Sequence, residues 1–356
     1  MLSKTNILSI ILIILGLLSV VLVNGVINSE LVVPGQSVGY DLAIHGEYAI
    51  VSNNDGAAVI DISNPHSPVR INQIELSGAF GLKIVNDTLY VGSPDDGLVL
   101  VDITTPSNPV ILETHSFVNN VYDLFVAGNY VYVVKLSGVL QIVDISNSSS
   151  PSVRGSLDIG SRALNVFVIE DTAYVADPDN GLVVVDVSNP ASPVTIRTVF
   201  NTYGAWDICV HQETLYLGCH GLGVRILDIS EPEDPTLLSS YNDIGEIYGV
   251  FGDGESLALA DLQEGAKLLN VTDPEHPTLI AEYEEAAPHD VYYDGAFVYL
   301  ADQDREFIIV DFQNSGTYGY AVGTPSQTWL WIIPISLLSV GVLLLLIPYL
   351  KNRMSD

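Results

Sequence analysis

The chain has 356 residues, 48% of them hydrophobic, with 43 acidic against 12 basic side chains and a formal net charge of -31. The hydrophobic content is ample for a buried core, whereas the charge repels polyphosphate backbones and leaves nucleic-acid binding without an electrostatic footprint. Two cysteines support neither a disulfide framework nor a thiolate metal site, while cationic partners and divalent ions stay open.

Residues 7–23 are apolar and uncharged, follow Lys4 and run into Val23-Asn24-Gly25. The pattern predicts a signal peptide over residues 1–25, cut before Val26, with an uncleaved N-terminal anchor as the other reading. Residues 27–33 then read as a lone strand. Gly35-Gln-Ser37-Val-Gly39 matches a nucleophile elbow by letter. No helix is predicted after it, so the strand-to-helix turn that exposes such a serine is missing.

From here the chain repeats. An apolar run ending in an acid or amide recurs every 41 or 42 residues, at Asp61, Asp102, Asp144, Asp186, Asp228, Asn270 and Asp311. A unit this short cannot bury its own apolar face, so the copies must share one core, and residues 26–313 form one repeat array. In the fourth copy, residues 165–169 and 173–176 are two strands, Asp177-Pro-Asp-Asn-Gly181 is a hairpin turn, and residues 182–187 are a third strand, apolar on both faces. The third strand ends in Asp186-Val-Ser-Asn-Pro-Ala-Ser-Pro193, which returns as Asp61-Ile-Ser-Asn-Pro-His-Ser-Pro68. Pro68, Pro109, Pro151, Pro193, Pro235 and Pro277 each fall seven residues after the acid. A proline has no donor to lose where it opens an edge strand, and Asp and Ser side chains can bond nearby backbone to seal the corner. A fourth, outermost strand follows. Four antiparallel strands per unit and seven units predict an all-β, seven-bladed β-propeller. After Asp311 the proline-led fourth strand is absent, and residues 27–33 are expected to supply it, closing the ring with an N-terminal strand.

The phrases Gly181-Leu-Val-Val-Val-Asp-Val-Ser-Asn-Pro, Gly97-Leu-Val-Leu-Val-Asp-Ile-Thr and Gly138-Val-Leu-Gln-Ile-Val-Asp-Ile-Ser resemble the LVIVD repeats of bacterial and archaeal surface proteins. Asn270 and the truncated seventh copy depart from the pattern. The resemblance implies a propeller on an exported protein, and it carries over no reaction and no catalytic residue.

Two columns mark where chemistry would sit. The first strands begin with Asp41, Gly81, Asp123, Asn165, Asp207, Gly249 and Asp290. If these strands line the channel, Asp41, Asp123, Asn165, Asp207 and Asp290 crowd one mouth of it, where a divalent cation such as Ca²⁺ or raised pKa values would relieve the repulsion. The other reading has each Asp capping its own loop. Just before them stand Tyr40, Phe80, Tyr122, Leu164, Trp206, Tyr248 and His289. As a rim these aromatics suit stacking on a sugar or gripping a peptide, but strict alternation points them away from the Asp column and into the packing between blades. Asp177-Pro-Asp179-Asn180-Gly181 offers spaced oxygens for Ca²⁺ without the later bidentate acid of an EF-hand loop. The seven histidines give no zinc spacing. Sequons place candidate glycosylation sites at Asn86 and Asn147, with Asn270 a poorer acceptor. Cys209 and Cys219 are expected on adjacent strands, with side chains on opposite faces and unsuited to a bridge.

Residues 314–327 form a linker, and the uncharged residues 328–350 predict a transmembrane helix, with Trp329 and Trp331 at one interface and Lys351 and Arg353 at the other. The tail 351–356 is then cytoplasmic, and the propeller is extracellular on a single-pass membrane protein. The expected function is a binding, adhesion or scaffold module for an envelope or surface protein or glycan. The alternative is a metal-dependent hydrolase or lactonase-like enzyme with an ion in the channel.

Overall fold

The computed structural model describes residues 37–147, 150–242, 245–312 and 316–320. The segments 7–23, 27–33 and 328–350 lie outside the described residues. No helix among the described residues is long and apolar enough to cross a membrane.

The first repeat folds as a four-stranded antiparallel sheet: β1 (Leu42–His45), β2 (Tyr48–Asn53), β3 (Gly56–Asp61) and β4 (Val69–Glu75), paired in sequence order. Six further sheets repeat this plan, β5–β8 within residues 82–115, β9–β12 within 123–158, β13–β16 within 165–199, β17–β20 within 205–241, β21–β24 within 247–283 and β25–β28 within 288–320. The protein is an all-β, seven-bladed propeller. Third strands such as β3 and β15 (Gly181–Asp186) are buried on both faces, while the outermost β16 (Val194–Val199) is largely exposed. The core is therefore divided among seven apolar clusters, one at each junction between neighbouring blades. Leu42, Val51, Ile60, Phe307 and Ile309 belong to the cluster that joins the last blade to the first and closes the ring.

Local sequence explains the corners. Asp61 accepts the Ser63 amide at 2.9 Å, and Asp102, Asp144, Asp186, Asp228 and Asn270 make the same bond two residues on. Bonds from Ser63 hold the Asp61 carboxyl below the usual range, so this stabilisation is present above the ordinary carboxylate pKa and is lost as pH falls through the lowered value. Pro68, Pro193 and Pro235 each stand immediately before an outermost strand, as a residue without a donor can.

Third strands open on a glycine at positive φ in several blades, for example Gly56 at 119° and Gly265 at 89°. A Cβ at Gly265 would lie 2.0 Å from the Tyr283 carbonyl oxygen. Gly265→Ala is therefore expected to cost roughly 2–3 kcal/mol in a urea melt, from strained φ and backbone overlap together.

Two expectations are corrected in the seventh blade. Its outermost strand is β28 (Gly316–Tyr320), which pairs with β27 (Glu306–Asp311) from Asp311↔Gly316 to Phe307↔Tyr320. That edge, where a strand from the N-terminal side was expected, is occupied by the C-terminal side of the chain, and the sheet runs past residue 313. The stretch Gly316-Thr-Tyr-Gly-Tyr320 reads as a linker because it lacks an apolar run. An outermost strand pairs on one edge only and needs none.

The seam beside it carries a polar clasp. Glu306 stands where other blades have glycine, at φ 65°, with its side chain 1% exposed. It accepts a bond from Asn53 Nδ2 at 2.7 Å and pairs with Arg70 at 3.3 Å, and Arg70 also bonds Gln73. Gly39 completes the seam by donating to the Asp302 carbonyl at 3.0 Å, at a place where a Cβ would come within 2.2 Å of the Glu306 carbonyl oxygen.

Candidate functional site

Both sequence columns meet in one axial cavity of about 180 Å³, lined by Asp41, Gly81, Asp123, Asn165, Asp207 and Asp290 and by Tyr40, Phe80, Tyr122, Leu164, Trp206, Tyr248 and His289. The expectation that the aromatic column turns away between blades is overturned. In blade 1 the Tyr40 amide bonds the Ser52 carbonyl while the Ser52 amide bonds the Asp41 carbonyl, so two residues face one. Register shifts at Ala205/Asp207, Ile247/Gly249 and Pro288/Asp290 make Trp206, Tyr248 and His289 the extra residues of β-bulges. A bulge suspends alternation, so the residue before the Asp column faces the same cavity as the Asp.

The aromatic residues form a connected arc. Ring centroids lie 5.3 Å apart for Phe80–Tyr122, 4.8 Å for Tyr40–Phe80, 5.7 Å for Tyr40–His289, 5.3 Å for Tyr248–His289 and 4.4 Å for Trp206–Tyr248. His220, which sequence reasoning missed, stacks on Trp206 at 4.1 Å, and burial lowers its pKa to about 4. Buried Leu164 fills the remaining position.

The aspartates staple blades rather than cap their own loops. Asp290 accepts the Leu42 amide at 3.0 Å, Asp41 that of Leu82 at 2.5 Å, Asp123 that of Val166 at 3.2 Å and Asp207 that of Val250 at 2.7 Å, in each case on the next blade around the ring. Where the preceding blade offers Gly81, Asn165 or Gly249 instead, the amides of Leu124, Ile208 and Val291 bond the aspartate beside them. The two glycines have a steric cause, since a Cβ at Gly81 would lie 2.7 Å from Asp123 Cα and one at Gly249 2.8 Å from Asp290 Cα. Asn165 bonds no neighbouring amide, and its Oδ1 is buried without a partner.

Burial, with crowding added to it, raises the pKa of these carboxyls. Burial pushes Asp41 and Asp207 well above the usual carboxylate range, with repulsion from Asp290 adding to it, and Asp41 also shares a side-chain hydrogen bond with Asp290. Burial raises Asp290 too, and takes Asp123 up to about 7 against the pull of its amide donors and Lys83. Among the described residues no three His, Cys, Asp or Glu side chains come together as a metal-ligand set.

Two residues further along the first strands comes a second layer: Lys83 sits 4.7 Å over the Phe125 ring, Phe125 meets Phe167 at 4.6 Å, and Phe251 meets Tyr292 at 4.4 Å. Period-two alternation from the Asp column would have found it. Cys209, in the same layer, accepts the Gly252 amide at 3.2 Å, and Cys219 lies in a different inter-blade cluster. Both are free thiols that burial raises to about 12, with side chains on opposite faces as expected.

The acidic turns are hairpin caps. Asp177 accepts the Asp179 and Asn180 amides at 2.8 and 3.0 Å, and Asp302 accepts those of Asp304 and Arg305 at 3.0 and 2.8 Å. These amide bonds already engage the oxygens that a cation would need. Asn86 and Asn147 are exposed, and Asn270 is exposed with its carbonyl oxygen taken up by Thr272.

The ring of seven blades and the polar axial cavity define a β-propeller with one central site. Six stretches, residues 39–74, 79–115, 120–159, 160–200, 204–243 and 288–316, match the LVIVD repeat model, and the chain belongs to that family. The sixth blade, where Asn270 replaces the repeat's acid, falls outside the matched stretches. No curated protein matches the chain. Among solved structures it is similar to a chain of the mitotic checkpoint complex (10% identity, 82% of this chain and 95% of that one, TM-score 0.63). A computationally designed protein (12%, 79% and 98%, 0.58) and a protein from Desulfotomaculum acetoxidans DSM 771 (12%, 70% and 86%, 0.58) are similar as well. At these identities the likeness concerns the fold alone.

Proposed function

We propose that this protein is a membrane-tethered extracellular binding module whose ligand, part of an envelope or surface protein or glycan, enters the axial cavity. The observation that carries the reading is the aromatic arc set over four carboxyls in one cavity, a surface suited to gripping a group and not to any assembled reaction chemistry. The apolar segments 7–23 and 328–350 support export and a single-pass anchor with a cytoplasmic tail. A metal-dependent hydrolase on Asp41, Asp123, Asn165, Asp207 and Asp290 is the rival reading. It is disfavoured because the carboxyls spend their oxygens on inter-blade amides and on each other.

Trp206 reports on the cavity directly. Titrating the full chain in detergent with envelope monosaccharides and short peptides is expected to change tryptophan emission saturably for at least one class. The change should vanish in Trp206→Phe, which leaves only Trp329 and Trp331 to emit. A flat response across the panel would remove the reading.

A further inference from the structure

Resting on the binding reading, we infer that the cavity selects a primary ammonium group carried on a slender stem, such as a lysine side chain or a small alkylamine. Three independent observations converge on that class. The arc from Tyr122 through Tyr40 to Trp206 places several aromatic rings around the cavity, and the electron-rich face of such a ring attracts organic cations. Below it the aspartates are crowded, so a bound positive charge relieves a repulsion that a neutral polyol would leave in place. Asn165 lines the cavity and its Oδ1 is buried without a partner, so an N–H donor that reaches it from the cavity would satisfy it.

The same features argue against other cations. A hard divalent ion requires about six to eight oxygens in its shell, and much of the wall here is aromatic. A quaternary ammonium has no N–H to give Asn165. A guanidinium would need a planar pair of acceptors, whereas the floor is a ring of separate groups on different blades. Size agrees as well: at about 180 Å³ the cavity is smaller than the roughly 300–1,000 Å³ of pockets that take drug-sized ligands, which suits an aminoalkyl terminus. Exposed Phe117, Phe200 and Tyr203, on the loops that lead into the arc, offer apolar contact to whatever carries the amine.

The test titrates the full chain in detergent with n-butylammonium, its neutral isostere n-butanol, tetramethylammonium, and a lysine derivative blocked at both backbone ends, reading Trp206 emission and calorimetric heat. Saturable binding is expected for n-butylammonium, about tenfold weaker for tetramethylammonium and absent for n-butanol. Trp206→Ala and Asn165→Leu should each weaken n-butylammonium about tenfold. Asp228→Asn, at a corner remote from the cavity, should not change it. A blocked lysine that binds more tightly than n-butylammonium identifies a polypeptide as the source, and the reverse order identifies a free amine. Equal binding of n-butanol, stronger binding of tetramethylammonium, or unchanged affinity in Asn165→Leu with its melting curve intact would each overturn the ammonium assignment. If a sugar or neutral peptide from the wider panel quenches Trp206 while the amines do not, the ammonium assignment fails and the binding reading stands. If nothing binds, both fail.

Discussion

Arg70→Met is expected to lower the unfolding free energy by about 3 kcal/mol, because it strands a buried carboxylate at the seam that closes the ring. Glu306 is 1% exposed, burial raises its pKa, and the Arg70 guanidinium and the Asn53 amide pull it back down. Removing the guanidinium leaves the desolvation cost with only Asn53 to offset it. Arg70 is itself 19% exposed, which keeps the loss toward the lower end of what breaking a buried pair costs. The double variant Arg70→Met with Glu306→Gly should recover much of the loss, since glycine restores the residue used in neighbouring blades and relaxes the φ of 65°. Urea melts of wild type, single and double variants check both points. A double variant no more stable than Arg70→Met alone would show that the carboxylate is not the cause.

Asp123→Asn should flatten the dependence of stability on pH and make the variant more stable than wild type above about pH 7. The sign follows from proton uptake. In the unfolded chain an aspartate titrates near about 3.9, whereas in the native cavity Asp123 holds its proton up to about 7. Between those values the native state binds the extra proton, so stability is highest below the unfolded pKa and declines as pH rises toward 7. The decline is on the order of 2–4 kcal/mol, the upper figure belonging to a fully dehydrated group. Asparagine stays neutral and keeps an oxygen for the Val166 amide. Urea midpoints measured across the range read the slope directly, and parallel curves for the two proteins would refute the assignment. Asp41, Asp207 and Asp290 still titrate in the variant, so a residual slope is expected.

Much of this was legible in the chain because each repeat solves the same local problem. The acid that ends the third strand bonds an amide two residues away, a contact contained within one turn, and so Asp61, Asp186 and their equivalents announce themselves. The proline seven residues after the acid marks where a donor is not needed. Contacts that cross the fold leave no such local mark. Residues 316–320 look like linker in the sequence because an edge strand carries little apolar pattern, and alternation points Trp206, Tyr248 and His289 away from the cavity because a bulge leaves no mark in a period-two pattern. Glu306 carries no signal in the sequence because its role depends on Arg70 and Asn53 some 240 residues earlier, brought together only at the seam.

The repeat period, the strand count and the corner chemistry were thus determined by the sequence alone, since short-range bonds and apolar runs recur with constant spacing. The tertiary structure alone decided which strand completes the last blade, that each aspartate serves the amide of its neighbour, and that the aromatic and acidic columns share one cavity. Those depend on how seven sheets meet around an axis, where residues about forty positions apart come within hydrogen-bonding distance and burial raises the pKa of their carboxyls.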